Sequence, residues 1–383
     1  MQINIMKKAI FCIAFAGAVF AWGQESQTRL PLVSVNSQKS VSHPFSAQEL
    51  RQFRALEAID THTHAYVNNP AFQSLLKKLN LRIVDIILVD DQEKIEEWSD
   101  LSKERKDTWD LVDTSKGFVF FCTTFDPFRV NERDFREKAL QQINEDFDRG
   151  AVALKIWKNI GEEIKNSEGR YVLPDDPMFN SIYDDIAAHN KTLIAHVADP
   201  TTVFEAPNPA APDYTGYMNN PGFYMYRRPD APSKSEILRA RDHVLEQHPN
   251  LRVVGAHLGS MEADFGQLGD HLDRYPNFAV DIAARMDYLV IQPRSFLIPF
   301  INKYQDRLIY GTDLEIFPGK NDAERIKSWE DAYALDWRFL ATKEWLIYRG
   351  HIVQGLGLPE PILHKIYHDN AVKWFPGIER SIH

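Results

Sequence analysis

The sequence predicts an α/β protein, a (β/α)8 TIM-like barrel with extra C-terminal helices. Three observations lead there. Eight short, mostly apolar segments recur along the chain, separated by longer amphipathic stretches. No linker divides them and no internal repeat interrupts them. Residues able to bind metals or move protons gather at the C-terminal ends of these segments, which a barrel brings together at one mouth. A doubly wound sheet is the alternative that the same alternation allows.

Taken in order, the chain opens with "MQINIMKK", a short basic start, followed by the apolar run "AIFCIAFAGAVFA". "AWG" then places small residues three and one positions before Gln24. This is the pattern of a signal peptide over residues 1–23, and the run is short for a membrane span. Residues 24–45, rich in Ser, Gln and Pro without a period, read as a flexible leader. Residues 46–383 read as one barrel domain. Its strand candidates are "LEAIDTHTH", "LRIVDIILVD", "GFVFFCTTFD", "AVALKIW", "TLIAHV", "LRVVGAH", "NFAVDIAA" and "RLIYGTD". Among the helical patterns between them, "ERDFREKALQQINEDFDRG" stops at Gly150, "DPMFNSIYDDIAAHN" at Asn190 and "SKSEILRARDHVLEQHP" at Pro249. Residues 199–232, dense in Pro and aromatics, are too long for an ordinary loop and are expected to shape the active site. Residues 322–376 read as helical and Trp-rich, with three candidate roles: finishing the outer layer, covering the site, or joining copies in a homo-oligomer.

Composition narrows the function. A net charge of −10 argues against nucleic acid, which demands a basic footprint. After signal cleavage no stretch is long enough to cross a membrane, and only Cys122 remains, so no internal disulfide forms. The expected location is the periplasm or the medium, and the expected partner is a small-molecule substrate.

The candidate site is built from strand ends. In "AIDTHTHAYV", His62 and His64 share a face because strand side chains alternate. A lone His-x-His arises readily by chance in a chain with 13 histidines. Here, however, His196 ends the fifth strand candidate, His257 the sixth and Asp313 the eighth, while Lys155 lies on the fourth. Imidazoles with one carboxylate are the donor set of a catalytic zinc or similar divalent site. The other nine histidines, His364 and His368 among them, read as solvated or packed. Asp60, just before the pair, reads as a supporting hydrogen-bonder. Tyr226, Arg227 and Arg228 could clamp a carboxylate, with solvated loop charge as the alternative. Arg285 is a candidate for an anionic substrate against the reading of an exposed ion pair. Glu262 reads as a carboxylate opening a helix.

The phrases "AIDTHTHAY", "HPNLRVVGAHLGS", "RLIYGTDLEIF" and "IYHDNAVKWF" together resemble the amidohydrolase superfamily, and its amidohydrolase-2 branch in particular. The resemblance spans roughly residues 55–376. It implies a metal-binding barrel in which His62, His64, His196 and Asp313 hold one divalent ion, Zn2+ first and Mn2+ or Fe2+ next. It further implies that His257 is the acid/base or orienting group, with Asp313 also able to accept a proton. A bound ion would bring the pKa of its water toward ~7. Lys155 has three readings: a carboxylated bridge to a second metal, a contact to a substrate carboxylate, or a structural lysine snorkelling to solvent. The leading expectation is a hydrolase of a C–N or C–O bond in a small polar, carboxylated molecule. A non-oxidative decarboxylase on the same frame is the runner-up, and a non-catalytic binding protein the third.

Overall fold

The computed structural model describes residues 44–65, 68–90, 101–316 and 322–379. The expected signal peptide, and the leader up to residue 43, lie outside the described residues. The domain's first helix, Ala47–Ala55, starts where Ser46 and Glu49 cap each other's backbone N–H reciprocally. Just before it, the Phe45 ring lies 4.9 Å from that of Phe53.

Eight of the strand segments expected from sequence form in order: β1 (Ile59–Ala65), β2 (Arg82–Ile86), β3 (Val119–Thr123), β4 (Ala153–Ile156), β5 (Thr192–Ala195), β6 (Arg252–Gly255), β7 (Phe278–Asp281) and β8 (Leu308–Ile309). Each pairs in parallel with its predecessor. The ring closes because β9 (Leu314–Ile316), a continuation of the eighth stave, pairs in parallel with β1. The Thr61 N–H also donates to Tyr310 O across the seam, at 3.1 Å. The helices between strands follow the sequence signals. Phe135–Arg149 ends at Gly150, whose φ of 122° suits a residue without Cβ. Lys234–Gln247 begins at a Ser233–Glu236 capping box.

Inside the ring, Ile59, Val84, Ile86, Phe120, Cys122 and Ile194, with matching residues of later strands, form an apolar filling. Trp374, Phe375 and Ile378 from the last helical segment join it and plug its foot. Burial leaves the Cys122 thiol strongly disfavoured as a thiolate.

Phase matters in β1. Ile59 and Asp60 pair with Arg82 and Ile83, yet Thr63 pairs with Asp85, so Thr61 and His62 together span one step of β2. That is a β-bulge. Strict alternation from the inward Ile59 would turn Thr61 and Thr63 into the barrel. The bulge resets the phase and gives His62 and His64 the interior instead.

The C-terminal region differs from the expectation of helices alone. After the helix Asp322–Ala341 comes an antiparallel hairpin, β10 (Trp345–Tyr348) and β11 (His351–Gln354). Its β-branched and aromatic residues alternate: Leu346 and Tyr348 turn toward the domain, while Trp345, Ile347 and Ile352 stay exposed. Two-residue periodicity in so short a run is masked in sequence by the long helices on either side. None of the helices among the described residues is long and apolar enough to cross a membrane.

Candidate metal centre

The bulged end of β1 sets out the site. His62 and His64 point into the mouth, their ring centroids 5.5 Å apart. Asp60, on the outer face, secures that strand end. Its Oδ1 accepts from the backbone N–H of His62 and Thr312, both at 3.1 Å, and its Oδ2 from Thr312 Oγ1 at 2.5 Å and Tyr333 OH at 2.8 Å. Burial pushes its carboxyl up to about 7 against these donors. Asp60 therefore ties the first stave to the last, directly beneath the histidine pair.

Each ring is then oriented by a different neighbour. His62 Nδ1 lies 2.9 Å from Asp281 Oδ2, His64 Nδ1 2.7 Å from Ile86 O, and His257 Nδ1 2.9 Å from Ala283 O. A carbonyl can only accept, so the Nδ1 of His64 and His257 carries the proton and each Nε2 keeps a lone pair. The same holds for His62, whose Nε2 faces Lys155 Nζ at 2.9 Å.

These Nε2 atoms meet a carboxylate. Asp313 Oδ1 lies 3.4 Å from His62 Nε2 and 3.2 Å from His64 Nε2. Donor atoms of His62, His257 and Asp313 all fall within 4.8 Å of one another. His196 adds its ring 4.3 Å from that of His257, and its Nε2 is buried without a hydrogen-bond partner. The Lys155 ammonium answers the His62 lone pair, but the His64 lone pair facing the carboxylate and the unsatisfied buried nitrogen of His196 leave room for a further cation. The donor set therefore fits a divalent ion. Burial lowers the pKa of His62, with the Lys155 ammonium adding to it. Burial likewise holds His196 and His257 well below the usual histidine range, with Lys155 and His196 respectively the next contributors. Burial works to raise Asp313, but His257 and His62 hold its carboxyl well below the usual range.

The backbone is bent to present His257. Residues His257, Leu258, Gly259 and Ser260 all take left-handed φ, between 58° and 62°. Such a turn costs about 1–2 kcal/mol per non-glycine residue. It is held by the His257 N–H on Asp281 Oδ1 at 2.8 Å, Ser260 Oγ on Ala198 O at 2.7 Å, and Arg241 Nη1 on Gly259 O at 2.6 Å. Gly259 is required besides, because a Cβ there would lie 2.9 Å from the Phe278 ring.

The structure thus brings His62, His64, His196, His257, Asp313 and Lys155 to one mouth. Lys155 is not snorkelling: it is 1% exposed, and burial lowers its pKa. In this geometry its ammonium meets the His62 lone pair under the fields of Asp281 and Asp313.

Among the other candidates, Arg285 lies near enough to His257 to help lower its pKa. Arg285 is not an exposed ion pair. It is 6% exposed, with Asp213 and Glu262 as its charged neighbours and a buried Nε lacking a partner. Glu262 does not open a helix, since Asp264 caps the helix Phe265–Arg274. It is buried instead, accepting from Lys234 Nζ at 3.0 Å and Thr201 N–H at 2.8 Å. Arg228 donates to Glu162 O at 3.0 Å and to Gly222 O, and Arg227 stacks its guanidinium 5.6 Å over Tyr224. Both arginines therefore brace the loop of residues 199–232, whose own small core is Val203, Tyr224 and Met225.

Three acids escaped the sequence reading. Asp281 orients both His62 and the His257 backbone; the signal was an aspartate inside the apolar strand "NFAVDIAA". Asp199 takes Lys158 Nζ at 2.7 Å, deep beneath Phe223. Glu162 accepts from the Asp199 N–H at 2.7 Å, and burial, with Asp199 next, raises it well above the usual range. Nothing local in sequence marks the last two.

The family-level comparison agrees with this frame. The sequence model of the family described as Amidohydrolase matches residues 59–377. No curated protein is a significant match to the chain. Among solved structures, IDCase of Metarhizium anisopliae in apo form is similar at 17% identity and a TM-score of 0.48, covering 81% of this chain and 78% of that one. The 2,6-dihydroxybenzoate decarboxylase from Rhizobium is similar at 13% identity and a TM-score of 0.48, covering 83% and 98%. Dihydroorotase from Campylobacter jejuni follows at 13% identity and a TM-score of 0.43, covering 82% of each chain. Likenesses this distant do not bear on the reaction.

Proposed function

The chain belongs to the amidohydrolase family, in its amidohydrolase-2 branch, whose members are divalent-metal-dependent enzymes, and on that premise we propose that it is a hydrolase. Its substrate is a small polar, carboxylated molecule, cut at a C–N or C–O bond of an amide, lactone or ester. The supporting observation is the convergence of His62 and His64 Nε2 on Asp313, beside the His196 Nε2, which is buried without a hydrogen bond and 3.8 Å from Asp199 Oδ1. These four are the proposed ligands, and Zn2+ the proposed ion. When bound, such an ion supplies a water whose pKa is brought toward ~7.

The protein's own groups do the rest. Asp281 and the carbonyls of Ile86 and Ala283 hold the protons of His62, His64 and His257 on Nδ1, so each Nε2 is kept for ion or substrate. Asp313, 21% exposed, presents a carboxylate oxygen at the open side, where it can take a proton. His257 stays neutral in its buried setting with Nε2 bare, so it would orient the water by accepting from it, take a proton at Nε2, and pass that same proton to the leaving group. Lys155, buried at the floor of the mouth, is placed to meet either a second ion or a substrate carboxylate.

The test is metal analysis joined to a screen of lactones, amides, esters and carboxylated aromatics or sugars. Hydrolysis is expected with about one ion per chain; CO2 release without a newly freed acid or amine would make the enzyme a decarboxylase instead. Export to the periplasm or the medium belongs to the same proposal. N-terminal sequencing of the mature chain should begin at Gln24, and a retained Met1 would overturn it.

A further inference from the structure

Far along the chain from the mouth residues, a second group of metal-type side chains comes together on a single stretch. The helix Glu360–His364 passes into a π-helical turn, Lys365–Asp369, and returns to α over Asn370–Trp374. The wide turn is closed by the Asn370 N–H donating to Lys365 O, five residues back. Its consequence is chemical. In a regular α-helix, residues five apart lie about 140° around the axis from each other. The wider π turn brings Asp369 back beneath His364, which already shares a face with His368 four residues on.

All three side chains meet. His364 Nδ1 lies 2.9 Å and His368 Nδ1 3.0 Å from the same oxygen, Asp369 Oδ1, and the two rings stand 4.9 Å apart. Their donor atoms fall within 4.8 Å of one another. Both histidines are accessible, at 39% and 19% exposure, so each ring can move its proton to Nε2 and turn an Nδ1 lone pair inward. Two imidazoles and a carboxylate with open positions left for water are a chelating set for Zn2+, Cu2+ or Ni2+ rather than for Mg2+ or Ca2+.

We propose that His364, His368 and Asp369 form a second, surface site for a transition-metal ion, created by the π turn and separate from the barrel mouth. The segment it would clamp is anchored to the base of the eighth stave. Tyr310 N–H donates to Ile366 O at 2.9 Å, Asn370 Nδ2 bonds the carbonyls of Gln305 and Leu308 at 2.7 Å, and Lys365 pairs with Asp306 at 2.8 Å. An ion here fixes that foot and raises thermal stability by binding only the folded chain.

Equilibrium dialysis against micromolar Zn2+ tests it, on the full chain with its mouth intact. The paired change His364→Gln and His368→Gln should remove one equivalent of bound Zn2+ relative to wild type and reduce the rise of Tm that Zn2+ produces. Changing His351→Gln, on the exposed hairpin, should remove none. A variant carrying His62→Ala and His64→Ala should keep the equivalent that the first pair removes. Wild-type stoichiometry in the His364/His368 variant, with an unchanged Zn2+-induced Tm shift, would overturn the site. Failure of the mouth to bind an ion would show in the His62/His64 arm alone.

Discussion

The two histidine clusters are built in opposite ways. At the mouth, the donors come from four staves, the rings of His62, His64 and His257 are fixed through Nδ1 by a group on another strand or beyond it, and the Nε2 atoms of His62 and His64 turn to Asp313. At the foot, three residues within a six-residue stretch lie on one turn, and both Nδ1 atoms share one carboxylate oxygen. The first arrangement is held by buried hydrogen bonds from several strands and loops. The second is accessible, local and free to relax. Buried, prepositioned donors suit catalysis, where small displacements are costly; exposed, adaptable ones suit a stabilising ion.

The sharpest way to break that contrast is at the mouth. His62→Ala should abolish metal binding there and lower turnover on the order of 10³-fold or more, while circular dichroism shows an intact barrel. Turnover retained with the ion absent would end the proposed role. His257→Asn comes next, with an expected loss of about 10²-fold or more in turnover and full metal content. Loss of the ion in this variant, together with its retention in His196→Ala, would exchange the roles of the two histidines. Asp281→Asn reaches one shell further out. Removing the charge that orients His62 should weaken metal affinity by about 10–100-fold, read by competition with a chelator, with the fold unchanged.

The smallest effect is expected far from either cluster. Glu49 pairs with Arg338 at 2.6 Å, fastening the first helix to the long helix Asp322–Ala341, and Arg338 lowers its pKa from 4.5 to about 2. A depressed carboxyl contributes stability above its unfolded pKa and loses it as pH falls through the folded one. Both partners are partly exposed, so Glu49→Gln should cost less than about 1 kcal/mol at neutral pH. That cost should shrink between roughly pH 4.5 and pH 2, measured as Tm against pH. A shift in metal content with this variant would show that the mouth is coupled to the surface, against the rigidity assigned to it.

Much of the mouth was legible because its residues are of distinctive types at strand ends. His62 and His64 share parity, and His196, His257 and Asp313 each follow an apolar run. Their supports were less legible. Asp281 could have been noticed as an acid within an apolar strand, whereas Glu162 and Asp199 sit in irregular backbone with no periodicity to mark them. Arg285 reads as a substrate contact or an exposed ion pair and Glu262 as a helix-opening carboxylate; both are buried, because partners distant in sequence, Asp213 and Lys234, come to lie beside them. His364 and His368 read as ordinary solvated residues, since an α-helical spacing leaves Asp369 out of reach.

By itself the sequence determined the alternation of strands and helices, the barrel class, the helix stops at Gly150, Asn190 and Pro249, and the five metal-type residues at the strand ends. These follow from local periodicity and residue chemistry, which the chain carries wherever it goes. Tertiary structure alone decided the bulge that turns His62 and His64 inward, the left-handed bend at His257, the burial of Lys155 against His62, and the π turn that gathers His364, His368 and Asp369. Each is a departure from regular backbone or from ordinary charge placement. Such departures persist only where contacts between residues far apart in sequence outweigh their local cost.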